Sequence, residues 1–196
     1  MSLSANEQAQ LFAFSSAILP VGAAGTFPFA QTFDRRFANG TVLAPTSGTM
    51  YMSAIFLPAG SVVNGITFVS SSTGETGGTH LWYALYRQDL TFIAQATDNT
   101  GATAFGANTA FRMALTAPQT ITVPGIYYLA FMCAQSAGGT PTLINALLPT
   151  NANANGAIAG MTPILAATSS TGLAGAAPSP AGALTATVNC LYAFVD

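Results

Sequence analysis

Thr49-Met50-Tyr51-Met52-Ser53-Ala54-Ile55-Phe56-Leu57, His80-Leu81-Trp82-Tyr83-Ala84-Leu85-Tyr86-Arg87 and Gly125-Ile126-Tyr127-Tyr128-Leu129-Ala130-Phe131-Met132-Cys133 decide the fold of this chain. Each segment is rich in aromatic and aliphatic residues and is bounded by Gly, Pro, Asn or Asp, the composition of a β-strand. In the middle segment, alternation puts Trp82, Ala84 and Tyr86 on one face and Leu81, Tyr83 and Leu85 on the other. Apolar residues on both faces predict burial from both sides, by a second sheet, a neighbouring subunit, or both.

Working outward, Pro58-Ala59-Gly60 reads as a turn into a strand over residues 62–70, and the Gly/Ser-rich residues 71–79 read as a loop. Gln88-Asp89 turns the chain into residues 91–95, a hairpin, and residues 98–108 form a loop. Phe111, Met113 and Leu115 alternate with Ala110, Arg112 and Ala114, and residues 118–123 are a short strand or connector before the Pro124-Gly125 turn. Residues 141–148 form one strand, and residues 183–195 form another that pairs back into the central sheet. Turn signals at intervals of about 8–12 residues without a helical period indicate an all-β fold, a jelly-roll-like β-sandwich of roughly eight strands.

The ends of the chain read differently. In residues 4–14, Ser4 and Glu7 have capping-box spacing and predict a short helix. Residues 26–37 scatter Phe27, Phe29, Phe33 and Phe37 among polar residues with neither period. Residues 1–48 therefore read as an extended N-terminal docking arm, too aromatic to stay comfortably in water and too poor in internal partners to fold alone. Asp34-Arg35-Arg36, the one charge cluster, reads as an interface salt bridge. The candidate interface is Phe27, Phe29, Phe33, Asp34, Arg35, Arg36 and Phe37. Residues 49–196 form the sandwich domain, with a Gly/Ala/Asn-rich insertion at about 135–182 that reads as loops or linkers.

Only 5% of the 196 side chains are charged, there is no lysine, and the net charge is −2. That balance disfavours a nucleic-acid surface, which needs clustered cations, and a polybasic membrane contact. Scarce surface charge instead fits a surface covered by partners. Cys133 and Cys190 lie in apolar strand patterns and read as buried free thiols. The first residues show neither a basic region nor an apolar core of a signal peptide, and no apolar run reaches membrane-spanning length. The expected site of synthesis is a cytoplasm.

Groups for chemistry are sparse. His80 is the one histidine and lies outside any Gly-x-Ser-x-Gly elbow, so a strand-edge hydrogen bond is its expected role. Asp34, Glu75, Asp89 and Asp98 are not placed together by any motif for glycoside hydrolysis, and no calcium-loop spacing appears. Thr73-Gly74-Glu75-Thr76-Gly77-Gly78 lacks the lysine of a phosphate loop. Trp82, Tyr86 and Tyr128 could stack on a sugar, but such a stripe belongs more often to a core or a subunit interface. No catalytic, cofactor or metal residue is assigned, and a lyase or esterase reading finds little support.

Ala54-Ile55-Phe56-Leu57-Pro58-Ala59-Gly60, Val63-Asn64-Gly65-Ile66-Thr67-Phe68-Val69 and Thr79-His80-Leu81-Trp82-Tyr83-Ala84-Leu85-Tyr86 follow one another in an order that resembles β-domains of virion proteins of tailed bacteriophages, including phages of actinobacteria. Ala94-Gln95-Ala96-Thr97-Asp98 and Pro124-Gly125-Ile126-Tyr127-Tyr128-Leu129-Ala130 are similar in order and spacing to the same group. The resemblance covers about residues 49–134 and carries over no functional residues. It implies a structural or adhesive virion component: a capsid decoration or minor capsid protein bound to the major capsid protein or other virion proteins. The alternative is a tail-tip or fibre protein that binds a host-surface carbohydrate. Analogy with other jelly-roll virion proteins implies a homo-oligomer, with a trimer favoured.

Overall fold

Period-two alternation along the three diagnostic segments places their side chains on the two faces of one central sheet. The computed structural model describes residues 29–38, 42–101, 103–148 and 163–196. The helix expected over residues 4–14 lies outside them. The strands, in chain order, are β1 (Ala30–Gln31), β2 (Val42–Leu43), β3 (Met50–Leu57), β4 (Val62–Val69), β5 (Gly78–Arg87) and β6 (Phe92–Gln95). There follow β7 (Ala110–Thr120), β8 (Gly125–Gln135), β9 (Leu143–Leu147), β10 (Ala166–Ser169), β11 (Thr185–Ala186), β12 (Asn189–Leu191) and β13 (Ala193–Val195). A single 3-10 turn, Arg35–Phe37, is the one helical element among the described residues.

The sheets are antiparallel. A six-stranded sheet runs β11-β10-β3-β8-β5-β6, a four-stranded sheet runs β1-β13-β4-β7, and a small third sheet runs β12-β9-β2. The three diagnostic segments are β3, β8 and β5, the centre of the largest sheet, with Ile55 paired to Tyr127 and Tyr83 to Phe131. A bridge between Ala96 and Leu115 ties the six-stranded and four-stranded sheets at one corner. The architecture is an all-β sandwich.

Both faces of the central sheet are buried, by two different means. Ile55, Leu57, Leu81, Tyr83, Leu85, Leu129 and Phe131 pack inward against Ile66, Phe68, Met113 and Val195 of the four-stranded sheet. Phe68 meets Tyr83 and Phe131 at centroid distances of 4.8 and 5.3 Å, spacings that favour tilted and edge contacts. The opposite face carries Met50, Met52, Trp82, Ala84, Tyr86, Tyr128 and Met132. It is covered by residues 170–184, part of the segment whose composition reads as loop or linker. Trp82 Nε1 donates to the Ala174 carbonyl at 2.6 Å, and the Tyr86 hydroxyl donates to the Pro178 carbonyl at 2.8 Å. Gln95 adds a clamp: its amide donates to the Gly175 carbonyl and accepts from the Ala177 N–H.

Residues 183–195 correct an expectation. They do not form one strand but three short ones, β11, β12 and β13, each in a different sheet. The chain leaves β10, crosses to β9, then inserts between β1 and β4. Crossing from one layer to the other requires bends between the short strands, which an unbroken strand would not permit. Buried polar atoms guide the path: Leu191 N–H donates to Ser53 Oγ at 2.9 Å and Tyr192 N–H to the Ile144 carbonyl at 2.9 Å.

Cys133 and Cys190 are both free and buried. Burial pushes the Cys190 thiol up to about 11 and raises Cys133 further, so neither forms a thiolate near neutral pH.

Candidate interaction surface

The chain enters the described residues along the edge of the four-stranded sheet. Phe29 N–H donates to the Val195 carbonyl at 3.1 Å, and β1 then pairs Ala30 with Val195 and Gln31 with Phe194. Thr32 continues the attachment, its hydroxyl donating to the Leu191 carbonyl at 2.8 Å and accepting from Ala193 N–H at 3.1 Å. Phe29 packs on the core, and the Phe33 ring lies 5.3 Å from that of Tyr192. These two phenylalanines thus dock onto the chain's own sandwich.

Asp34 then reverses the direction of the chain. Its side chain accepts the Arg36 N–H at 2.9 Å, capping the 3-10 turn. The Arg36 guanidinium closes the same pair with bonds of 2.9 and 2.6 Å to Oδ2. The hydrogen bond from the Arg36 side chain leads in holding the Asp34 carboxyl below its ordinary range. The ion pair expected across an interface is therefore closed within one turn, because two residues' separation lets the guanidinium fork reach back to the cap. Arg35, Arg36 and Phe37 point outward, Phe37 with 69% of its surface exposed. Phe27 lies outside the described residues.

Beside this turn lies a groove of about 330 Å³ lined by Arg35, Val69, Ile144, Tyr192 and Phe194, among others. The Tyr192 hydroxyl donates to Gln31 Oε1 at 3.1 Å, and Arg35 is the one charged residue of a mostly apolar lining. Exposed Phe37, cationic Arg35 and an apolar trough together form a surface suited to a protein partner.

The other candidates have local partners. His80 Nδ1 and Asp98 Oδ2 are 2.6 Å apart, and Asp98 Oδ1 accepts the Leu81 N–H at 3.1 Å. Asp98 thereby fastens the loop after β6 to the start of β5. Among the described residues no hydroxyl or thiol is hydrogen-bonded to the imidazole. Asp89 accepts the Thr91 N–H at 3.0 Å and Glu75 the Phe105 N–H at 3.2 Å, so the four acids are dispersed rather than paired. Among the described residues no group of three His, Cys, Asp or Glu could hold a metal ion.

Residues 73–78 are a structural staple. Thr73 and Thr76 exchange hydrogen bonds with Thr142 and Gly139 of the neighbouring loop. Gly77, at φ +68°, lies so close to Ala137 that a Cβ would collide with the Ala137 carbonyl oxygen. Trp82, Tyr86 and Tyr128 are at most 1% exposed, so they form no sugar-stacking platform.

A second concavity was not foreseen from the sequence. It has a volume of about 420 Å³ and lies at one end of the sandwich between Arg87, Gln88 and Asp89 on one side and residues 123–127 on the other. Sheet register brings Arg87 opposite Tyr127, 40 positions away in sequence, and no local motif records that neighbourhood. No protein-family model and no curated protein matches this chain, so the geometry and chemistry of these surfaces carry the functional reading.

Proposed function

We propose that this chain is a non-enzymatic bacteriophage virion structural protein, a capsid decoration or minor capsid protein that binds and stabilises the assembled shell. The observation that carries the reading is the outward-facing Arg35-Arg36-Phe37 turn beside an apolar groove, on a chain in which 5% of side chains are charged. Binding only the assembled shell stabilises that shell by mass action. A homo-oligomer, with a trimer favoured by analogy with jelly-roll virion proteins, multiplies the weak contacts of each copy.

Immunogold labelling of intact particles with an antibody to this chain tests the reading. Label over the head supports it, and label on no virion overturns it. The surface itself is tested with Phe37→Ser combined with Arg35→Ser, which leaves the packed Phe29 and Phe33 in place. Expected is loss of virion occupancy with unchanged thermal unfolding; normal occupancy removes this turn as the docking surface.

A tail-tip or fibre protein that binds carbohydrate is the second reading. The concavity at Arg87, Gln88 and Asp89 favours it, since charged and amide side chains there could pair with sugar hydroxyls. Label confined to the tail, together with sugar binding lost on Asp89→Ala, would establish it over decoration.

A further inference from the structure

The face that residues 170–184 cover is apolar along the whole of β3 and β8, but the cover stops one row short. Tyr86 is capped by Pro178 and Tyr128 by the Ile164 carbonyl at 2.8 Å. The next row toward the end of the sheet pairs Phe56 with Ile126. Phe56 continues the Met50, Met52, Ala54 stripe and is 58% exposed. At the same end Val123 is 56% exposed, and Leu165, whose carbonyl accepts the Ala54 N–H, is 38% exposed. Three of the seven large apolar side chains exposed among the described residues thus gather at one end. Large apolar side chains left exposed together in this way mark an interaction site.

Its shape and charge point to one occupant. Phe56 projects from the sheet, while the concavity of about 420 Å³ opens beside its neighbour Ile126. Knob and hollow sit side by side on one patch. The rim carries one cation, Arg87, and one anion, Asp89, both exposed. A surface that holds each feature together with its complement can pair with itself, as a contact between identical subunits requires. A strongly charged partner would find no matching field there.

We infer that this end of the sandwich is a contact surface for a second copy of this chain, with Phe56 of one copy seated in the hollow of the next and Arg87 facing the neighbour's Asp89. The inference deepens the oligomeric part of the proposed function, but it does not depend on the chain being a virion component.

Sedimentation equilibrium of the purified full-length chain tests it. Expected is a concentration-dependent dimer or trimer, with at least tenfold weaker association for Phe56→Glu and for Val123→Asp. Arg87→Glu and Asp89→Arg should each weaken association, and the double variant should recover it. Trp82 fluorescence and thermal unfolding identify any variant that has failed to fold. A wild-type chain that sediments as a 19.9 kDa monomer at all concentrations overturns the inference. So does self-association that Phe56→Glu and Val123→Asp leave unchanged, which would place the contact elsewhere. Immunogold label on the virion is read separately, so failure of self-association and failure of the virion reading remain distinguishable.

Discussion

Trp82, on the central strand, donates its indole N–H to the carbonyl oxygen of Ala174 at 2.6 Å, across 92 positions of sequence. The bond joins the most regular part of the chain to one of its least patterned parts. Residues 170–184 have the composition of a linker, yet they cover the outer face of the six-stranded sheet. Two of their carbonyls, of Ala174 and Pro178, accept from the tips of the aromatic side chains they cover, so those tips are buried without an unmet hydrogen bond.

Tyr86→Phe removes the hydroxyl bonded to Pro178 while keeping the ring. The expected cost is about 1 kcal/mol, the usual worth of one buried hydrogen bond. Urea unfolding followed through Trp82, the one tryptophan, measures it. Limited proteolysis should then cut first within residues 170–184; an unchanged cleavage pattern would show that the cover is held by packing alone.

Arg112 and Asp196 form a two-pronged pair of 2.8 and 2.7 Å on the outer face of the four-stranded sheet, with the Asp196 side chain 5% exposed. The guanidinium lies flat over Gly65, where a Cβ would come within 2.7 Å of its central carbon. Arg112→Met strands a buried carboxylate and should cost about 3 kcal/mol. Gly65→Ala should cost less in the Arg112→Met background than in the parent, because both changes disturb one interaction. Additive losses in a double-mutant cycle would contradict that coupling.

Glu75 is buried, and burial raises its carboxyl above the ordinary value of 4.5, an effect the Phe105 N–H opposes in part. Above that ordinary value the native chain therefore holds a proton that the unfolded chain has released, and stability falls as pH rises through the raised value. Asp34 and Asp89 act in the opposite sense. Their values are lowered chiefly by hydrogen bonds from the Arg36 side chain and the Thr91 backbone, so their contribution is fully present above 3.8. Glu75→Gln should flatten the decline and exceed the parent in stability at neutral pH. Urea midpoints from about pH 4 to about pH 8 check the sign; a parent midpoint that climbs across this range with no effect of the substitution refutes it.

Phe29 and Phe33 pack on the sandwich, whereas Phe37 does not. Phe29→Ser should therefore lower stability by about 2 kcal/mol, somewhat less than for a fully buried ring. Phe37→Ser should change it by less than about 0.5 kcal/mol. Thermal unfolding of the two variants separates the ring that holds the sandwich from the ring left free for a partner.

Much of the sandwich was legible in the sequence because strand alternation is local. β3, β5 and β8, the hairpin of β5 and β6, and the alternation in β7 follow from residues within a few positions of one another. The two-sided burial of Trp82 and Tyr83 was also legible, though not what buries Trp82. The role of residues 170–184 was hidden because Gly, Ala, Ser and Pro carry no periodic signal; aromatic tips supplied by β5 and the Gln95 amide of β6 give that segment its place. The division of residues 183–195 was hidden for a related reason, since alternation continues across a bend that transfers the chain between sheets.

For the surface, the sequence singled out the phenylalanines and the Asp34-Arg35-Arg36 cluster by composition. Which of them point outward depended on pairing of β1 with β13, a contact between residues more than 160 positions apart. The cluster of Phe56, Val123 and Ile126 with Arg87 and Asp89 likewise exists only through the register of three strands. By itself, the sequence determined that this chain builds two-sided β-strands and offers little ionisable chemistry, because side-chain type and alternation are local properties. Only the tertiary structure decided which apolar residues remain uncovered, because cover comes from distant segments whose own composition does not reveal where they lie.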